Sequence, residues 1–263
     1  MDEKRVKAIL SDFNILAWCF AVLSLILAVV PSKGAFGKMS NFDKFAHFVI
    51  FYFLVLFVTA AHGWQHRLRY LFYGLAFGFM IEVIQLFLPW REGDIMDFAM
   101  DSLGALLAVL TPQFLFPLIM DGIATIMGVG FLPLMPGTFA SLVALALYHF
   151  LPVNSEFLVF TVPAISLVGL WAAEHFSSKL GKNDPSEVVV DEFAGALIAV
   201  MFLPKKPSIL IAGFFLFRFF DIFKPWIIDK SQRLPGGLGV MADDWLAGVF
   251  ANVVLRLVHA VLL

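Results

Sequence analysis

Long apolar runs alternate with short polar clusters along most of this chain. About 20 apolar residues make one bilayer crossing, and shorter runs are tolerated inside a bundle. On that rule the pattern predicts nine spans: 13–30, 45–61, 69–88, 96–111, 138–151, 156–173, 188–203, 207–220 and 245–262. Several short runs carry Gly or polar residues, which suits helix–helix contact rather than lipid. Residues 113–136 break the pattern with Pro117, Asp121, Thr125, Gly128, Gly130, Pro133 and Pro136. An interfacial or re-entrant helix followed by a turn is expected there. The expected fold class is all-α, a polytopic membrane helical bundle. It divides near residue 112 into a unit of four spans, 1–112, and a second unit, 113–263.

Composition agrees with the pattern. Of 263 residues, 61% are hydrophobic and 14% charged, against about half and about a quarter in soluble domains. The net charge of −2 gives no case for a nucleic-acid partner. The single cysteine, Cys19, lies in an apolar run, so no internal disulfide is expected. The first apolar run lacks a small-residue cleavage pattern and reads as an uncleaved span. With the N-terminus inside, Lys4, Arg5, Lys7, Arg67, Arg69, Lys179, Lys182, Arg218, Lys224, Lys230 and Arg233 fall on the cytoplasmic side, and Lys33, Lys38, Lys44, Arg91, Lys205 and Lys206 fall outside. That choice places 113–137, 174–187 and 221–244 on the cytoplasmic face and the polar clusters 31–47 and 89–101 on the other. The expected location is the inner, cytoplasmic membrane, among membrane lipids. Homo-oligomerisation is left open.

The first unit gathers Asp43, Lys44 and His47 at one helix start and Glu82 and Gln85 at a helix end. Arg91, Glu92, Asp94, Asp97 and Asp101 follow. Residues four apart share a helix face, as Asp43 with His47 and Asp97 with Asp101 do. Flanking charges of this kind also cap and anchor helices. Glu82 is harder to explain that way, because a carboxylate inside an apolar helix needs a partner. The set Asp43-Lys44-x-x-His47, Glu82-x-x-Gln85, Pro89, Arg91, Asp97 and Gly104 resembles the VanZ-like family over about 13–111. Ile81 and Asp101 depart from its usual residues. The resemblance links the unit to glycopeptide-antibiotic resistance without supplying a reaction. Binding of an envelope lipid or headgroup is the expectation.

The second unit carries three polar blocks. Thr125 to Ser141 includes Gly137, Thr138 and Ser141, where a turn opens a helix and free N–H groups attract phosphate oxygens. A plain Pro-Gly turn with a Thr cap explains the same letters. The second block runs from Asp184-Pro185 to Asp191-Glu192-x-x-Gly195. Two adjacent carboxylates in an apolar helix repel unless a cation neutralises them. The third, 217–244, holds Arg218, Asp221, Lys224, Gly236, Gly237, Gly239, Asp243 and Asp244. Its glycines suit an anion-binding turn, and Asp243-Asp244 read as the start of the last span. Hard oxygen donors favour Mg²⁺. Zinc is disfavoured, since His149, His175 and His259 have no paired spacing. His175 reads as a base or as an interfacial helix end.

These blocks resemble the phosphatidylglycerophosphatase A family over about 115–262. The resemblance implies a Mg²⁺-dependent membrane phosphatase that converts phosphatidylglycerophosphate to phosphatidylglycerol. On that basis Asp191, Asp221, Asp243 and Asp244 are candidate metal ligands, and Glu192 a ligand or base. Lys224 and Arg218 would hold phosphate oxygens, with Gly137, Thr138, Ser141 and Asp184 completing the substrate site. Attack by a metal-activated water and attack by an Asp stay open. A transporter or flippase, which also uses intramembrane carboxylates and broken helices, is the alternative, and an idle lipid-binding module a third reading.

Overall fold

The computed structural model describes residues 17–26, 28–29, 40–90, 93–151, 158–234 and 236–262. Arg91, Glu92 and the side chain of Asp43, which the sequence singled out, lie outside the described residues. So do the starts of the runs expected at 13 and 156. Every regular element among the described residues is helical. Two compact units result, one ending at Phe116 and the other beginning at Pro117.

In the first unit, α1 covers Ala17–Ile26. Three longer helices follow: α2 (Ser40–His62), α3 (Arg67–Leu86) and α4 (Ile95–Leu110). Helix α4 packs against both α2 and α3. It starts where Asp94 caps it, accepting the Met96 N–H at 2.8 Å, as a short polar side chain does at a helix N-terminus. Outward positions of α3 are apolar: Phe72 is 68% exposed and Phe79 61%. Large side chains exposed this way are what lipid solvates and water does not.

The second unit contains α5 (Leu115–Ala124), α6 (Pro136–Phe150), α7 (Leu158–Leu180) and α8 (Val190–Val200). It continues with α9 (Pro207–Phe223), α10 (Ile227–Ser231) and α11 (Gly237–Leu262). The centre is α8, which packs against α6, α7, α9 and α11 and is buried along most of its length. Helices α8 and α11 cross at small residues. A Cβ on Gly248 would come 2.4 Å from the Gly195 carbonyl oxygen, and one on Gly195 would come 2.7 Å from that of Asp244. Backbones this close need residues without side chains at the crossing. The crossing sets Asp191, one turn before Gly195, beside Asp244, one turn before Gly248.

Three described helical stretches are long and apolar enough to cross a membrane alone: Lys44–His62, Trp64–Leu86 and Gly237–Ala260. These stretches do not by themselves reach the nine spans expected, several of which are shorter runs. The apolar run 188–203 shows why. Only Val190–Val200 is helical, about 16 Å at 1.5 Å per residue, against about 30 Å of hydrocarbon. Val188 and Val189 belong to the incoming loop, and Phe202 takes φ 62° just after the helix. Apolar content marks burial inside the unit here, not bilayer thickness. Residues 113–136 form α5, then positive φ at Ile126, Met127 and Gly128, then a single 3-10 turn at Val129–Phe131.

Candidate active site

The last helix begins earlier than its apolar pattern suggests. Helix α11 starts at Gly237, so Asp243 and Asp244 lie in its second turn rather than opening it. Helix α8 opens with Asp191 and Glu192 in its first turn, where the helix dipole favours negative charge. Asp221 sits in the last turn of α9, and Lys224 ends that helix at φ 42°. These ends converge on a cavity of about 330 Å³.

Carboxylate oxygens of Asp191, Glu192 and Asp244 lie within 4.8 Å of one another. Asp191 and Asp244 are 5% and 3% exposed. Asp191 Oδ1, Glu192 Oε2 and Asp244 Oδ1 are buried with no hydrogen-bond partner among the described residues. Three converging carboxylates with unmet acceptors form a hard-oxygen set of the kind that holds Mg²⁺. The residues present therefore fit a divalent cation.

Beside them stand two cations. Arg218 Nη1 lies 2.6 Å from Asp221 Oδ2, and Lys224 Nζ lies 3.8 Å from Asp221 Oδ1. Lys224 also donates to Asp243 Oδ2 at 2.5 Å, and Gln232 Nε2 donates to the same oxygen at 2.8 Å. Asp221 is thus held by fixed cations, and Asp243 by Lys224 and Gln232. The four ligands expected from sequence divide: Asp191 and Asp244 join Glu192, while Asp221 and Asp243 hold the cationic side chains in place. Burial alone pulls the Lys224 ammonium down, but the hydrogen bond and charge of Asp243, with Asp244 and Asp221, more than offset it and raise its pKa above the ordinary value.

Of the expected substrate residues, Gly137, Asp184 and Arg218 line the cavity. Asp184 takes φ 53° in the loop before α8. Partial burial, helped by the charges of Asp243 and Asp221, pushes its carboxyl above the usual range. Ser141 is not a cavity donor: its Oγ donates to the Gly137 carbonyl at 2.8 Å within its own helix. Thr138 Oγ1 is buried with no partner among the described residues and does not line the cavity. Thr125 donates to the Asp121 carbonyl and accepts the Gly128 N–H, so it caps its own turn.

The glycine turn also differs from expectation. The Gly237 N–H donates to Glu174 Oε2 at 2.6 Å, so the anion it binds is a side chain of α7. His175 lies 3.8 Å from Asp121 Oδ1, and Lys179 bonds to the same carboxylate at 2.5 Å; neither lines the cavity. Sequence reasoning missed Gln232 and Glu174. Gln232 sits in no motif. Glu174 was detectable only as a carboxylate within α7, one position before His175.

Known proteins resemble this chain in sequence. Residues 122–259 match the model of the phosphatidylglycerophosphatase A family, and residues 4–117 match that of VanZ/LLP1. A protein of Bacteroides thetaiotaomicron provisionally named a phosphatidylinositol-3-phosphatase is 40% identical over 162 residues, 57% of this chain and 98% of that one. Phosphatidylglycerophosphatase A of Escherichia coli is 35% identical over 133 residues, 49% of this chain and 76% of that one. Its counterpart in Haemophilus influenzae is 35% identical over 134 residues, 49% and 81% of the two chains. No solved structure matches the chain. Through residues 122–259, which hold every side chain of the cavity, the chain belongs to the phosphatidylglycerophosphatase A family.

Proposed function

We propose that this protein is a Mg²⁺-dependent phosphatase that removes the terminal phosphate of phosphatidylglycerophosphate, leaving phosphatidylglycerol. The observation that carries the reading is the pairing, in one cavity, of the carboxylate trio Asp191, Glu192 and Asp244 with the cations Arg218 and Lys224. A phosphate monoester dianion needs positive charge around its oxygens, and fixed charges supply most of the stabilisation in phosphoryl transfer. The trio would hold the cation, which when bound polarises the phosphate and activates its attacker.

The chain's own groups do the rest. Asp221 fixes the Arg218 guanidinium, and Asp243 with Gln232 fixes the Lys224 ammonium, so both donors are oriented before substrate arrives. Preorganised donors need no rearrangement as charge builds on the phosphate. Gly137 lets the start of α6 lie against the Glu192 carboxylate. The surroundings suit a lipid. Met135, on the cavity wall, is 53% exposed, and Leu134 beside it is 92% exposed. Phe223 and Trp226, flanking Lys224, are 70% and 82% exposed. Acyl chains can rest on such side chains while the headgroup enters the polar cavity. The Lys and Arg distribution supports a multi-pass protein of the inner membrane with this cavity at the cytoplasmic face.

The test is phosphate release by the purified full chain from phosphatidylglycerophosphate, phosphatidylinositol 3-phosphate and phosphatidic acid. Each is assayed with EDTA and after Mg²⁺ is restored. Fastest turnover of phosphatidylglycerophosphate, abolished by EDTA and restored by Mg²⁺, is expected. Preference for the inositol lipid would move the assignment to the activity in the name of the Bacteroides relative. Turnover unaffected by EDTA would remove the metal.

A further inference from the structure

The unit that ends at Phe116 holds a second cluster of ligand-type side chains, which the phosphatase reading does not use. Helix α2 brings Lys44 and His47. Helix α3 brings Gly78, Glu82 and Gln85, spaced four and three apart and so on one stripe. Helix α4 brings Asp97 and Asp101, four apart. The stripes face each other: a Cβ on Gly78 would come 3.1 Å from Asp101 Oδ2. His47 Nδ1 lies 2.9 Å from Asp101 Oδ1. Ligand atoms of His47, Glu82 and Asp101 all fall within 4.8 Å of one another.

Lys44 serves the rim of this cluster, bonding to Asp94 at 2.5 Å and Asp97 at 3.3 Å. Deeper in, Glu82 spends Oε2 on the Asp94 N–H at 2.9 Å. Its Oε1 is shut off from solvent and has no partner among the described residues. One turn along the same stripe Gln85 is 2% exposed, and its Oε1 also lacks a partner among them. A buried acceptor left unmet costs about 1–3 kcal/mol. Two of them on a stripe that faces an imidazole and a buried Asp call for an electropositive occupant.

We propose that His47, Glu82 and Asp101 bind a divalent metal ion, with Gln85 Oε1 as an adjoining oxygen donor. One imidazole among hard oxygens suits Mn²⁺ or Zn²⁺ better than Mg²⁺, which keeps to oxygen ligands. This donor set differs in kind from the phosphatase cavity, whose converging ligands are all carboxylates.

That difference gives the test. The full chain is stripped with EDTA, loaded with Mn²⁺ and read by pulsed EPR. The expected result is bound Mn²⁺ with ¹⁴N modulation from one imidazole, lost in His47→Gln and kept in Asp244→Asn. Glu82→Gln is expected to weaken this Mn²⁺ by about tenfold or more, on the scale of changes around metal ligands. Phosphate release by His47→Gln at the unmodified rate shows that this variant is folded. If it fails to insert, loss of the modulation in Glu82→Gln decides instead. Absence of ¹⁴N modulation at saturating Mn²⁺ overturns the proposal. So does modulation that survives His47→Gln, or that disappears in Asp244→Asn.

Discussion

Gly137 lies against Glu192 so closely that a Cβ on the glycine would come 1.9 Å from Glu192 Oε1. No side chain fits that gap, so the start of α6 and the carboxylate cannot both stay in place once a methyl is added. Gly137→Ala is expected to push the carboxylate away from Asp191 and Asp244. A displacement of about 1 Å at a catalytic group reaches about 10²-fold in rate, and a loss of at least about tenfold in kcat/KM is expected on that scale. Gly122→Ala is the control, because its Cβ would meet only Met127 Sδ at an ordinary 3.5 Å. Phosphate release by the two variants, beside their thermal unfolding, checks this. Equal activity would mean that Glu192 tolerates displacement.

The trio of Asp191, Glu192 and Asp244 trades stability for function. Three carboxylates within 4.8 Å repel when no cation lies among them. Asp191→Asn or Asp244→Asn removes one of those charges without changing shape. Each is expected to abolish phosphate release. Each is also expected to raise stability without metal by about 1 kcal/mol, or about 2–4 °C in Tm. Adding Mg²⁺ should raise the Tm of the unmodified protein and leave the variants where they are. Unfolding curves with EDTA and with Mg²⁺ provide the check, and a variant less stable than its parent in EDTA would contradict the repulsion.

Lys224 links two carboxylates, so its removal should be felt in rate and stability. Lys224→Met leaves Asp243 Oδ2 with Gln232 alone and Asp221 with Arg218 alone. Loss of one preorganised cation is worth about 10²–10³ in rate. Losing the charged hydrogen bond between Lys224 and Asp243 adds about 1.5–3 kcal/mol of instability. The pH dependence has a fixed sign. The pKa of Lys224 is raised by its carboxylates, so the stabilisation is fully present below the unfolded Lys value of about 10.4. It is lost only as pH rises through the higher folded value. Any fall in activity between pH 7 and 10 therefore comes from another group. A pH–rate profile of Lys224→Met that loses only its fall above pH 10 would agree.

Much of the site was legible before any coordinates, for a physical reason. Asp191 and Glu192 interrupt one apolar run and Asp243 and Asp244 open another, where charge is costly and a shared task accounts for it. How the charges pair was not legible. The spacing of three put Arg218, Asp221 and Lys224 on one face, but nothing in it told that Asp243 would hold Lys224 or that Glu192 would be the third member of the trio. That division depends on the α8–α11 crossing at Gly195 and Gly248, a contact between residues 53 positions apart in the chain. Helix ends were the weakest reading. The run 188–203 is apolar throughout yet helical only from Val190 to Val200, while α11 reaches back through Gly239 to Gly237. Hydropathy does not report where a backbone turns. The glycine turn misled in a specific way: its N–H does bind an anion, but that anion is Glu174.

Glu174 is accordingly the residue that fixes where α11 begins. Its Oε2 accepts the Gly237 N–H, one of the orphan donors at a helix start, and its charge complements the positive end of a 26-residue helix. Asp243 and Asp244 follow within two turns, so an error at Gly237 is carried to them. Glu174→Gln keeps an acceptor oxygen and is expected to stay within about twofold of the parent in kcat, since it loses only the charge contribution of under about 1 kcal/mol. Glu174→Leu has no acceptor and should lose about 1–2 kcal/mol of stability, as other lost caps do. Its kcat should fall by about tenfold through misplacement of the two carboxylates. The pair separates positioning from bulk packing, because leucine fills the space as well as glutamine does. If Glu174→Leu unfolds at the parent's Tm and keeps its kcat, α11 is held in place by its packing on α8 alone.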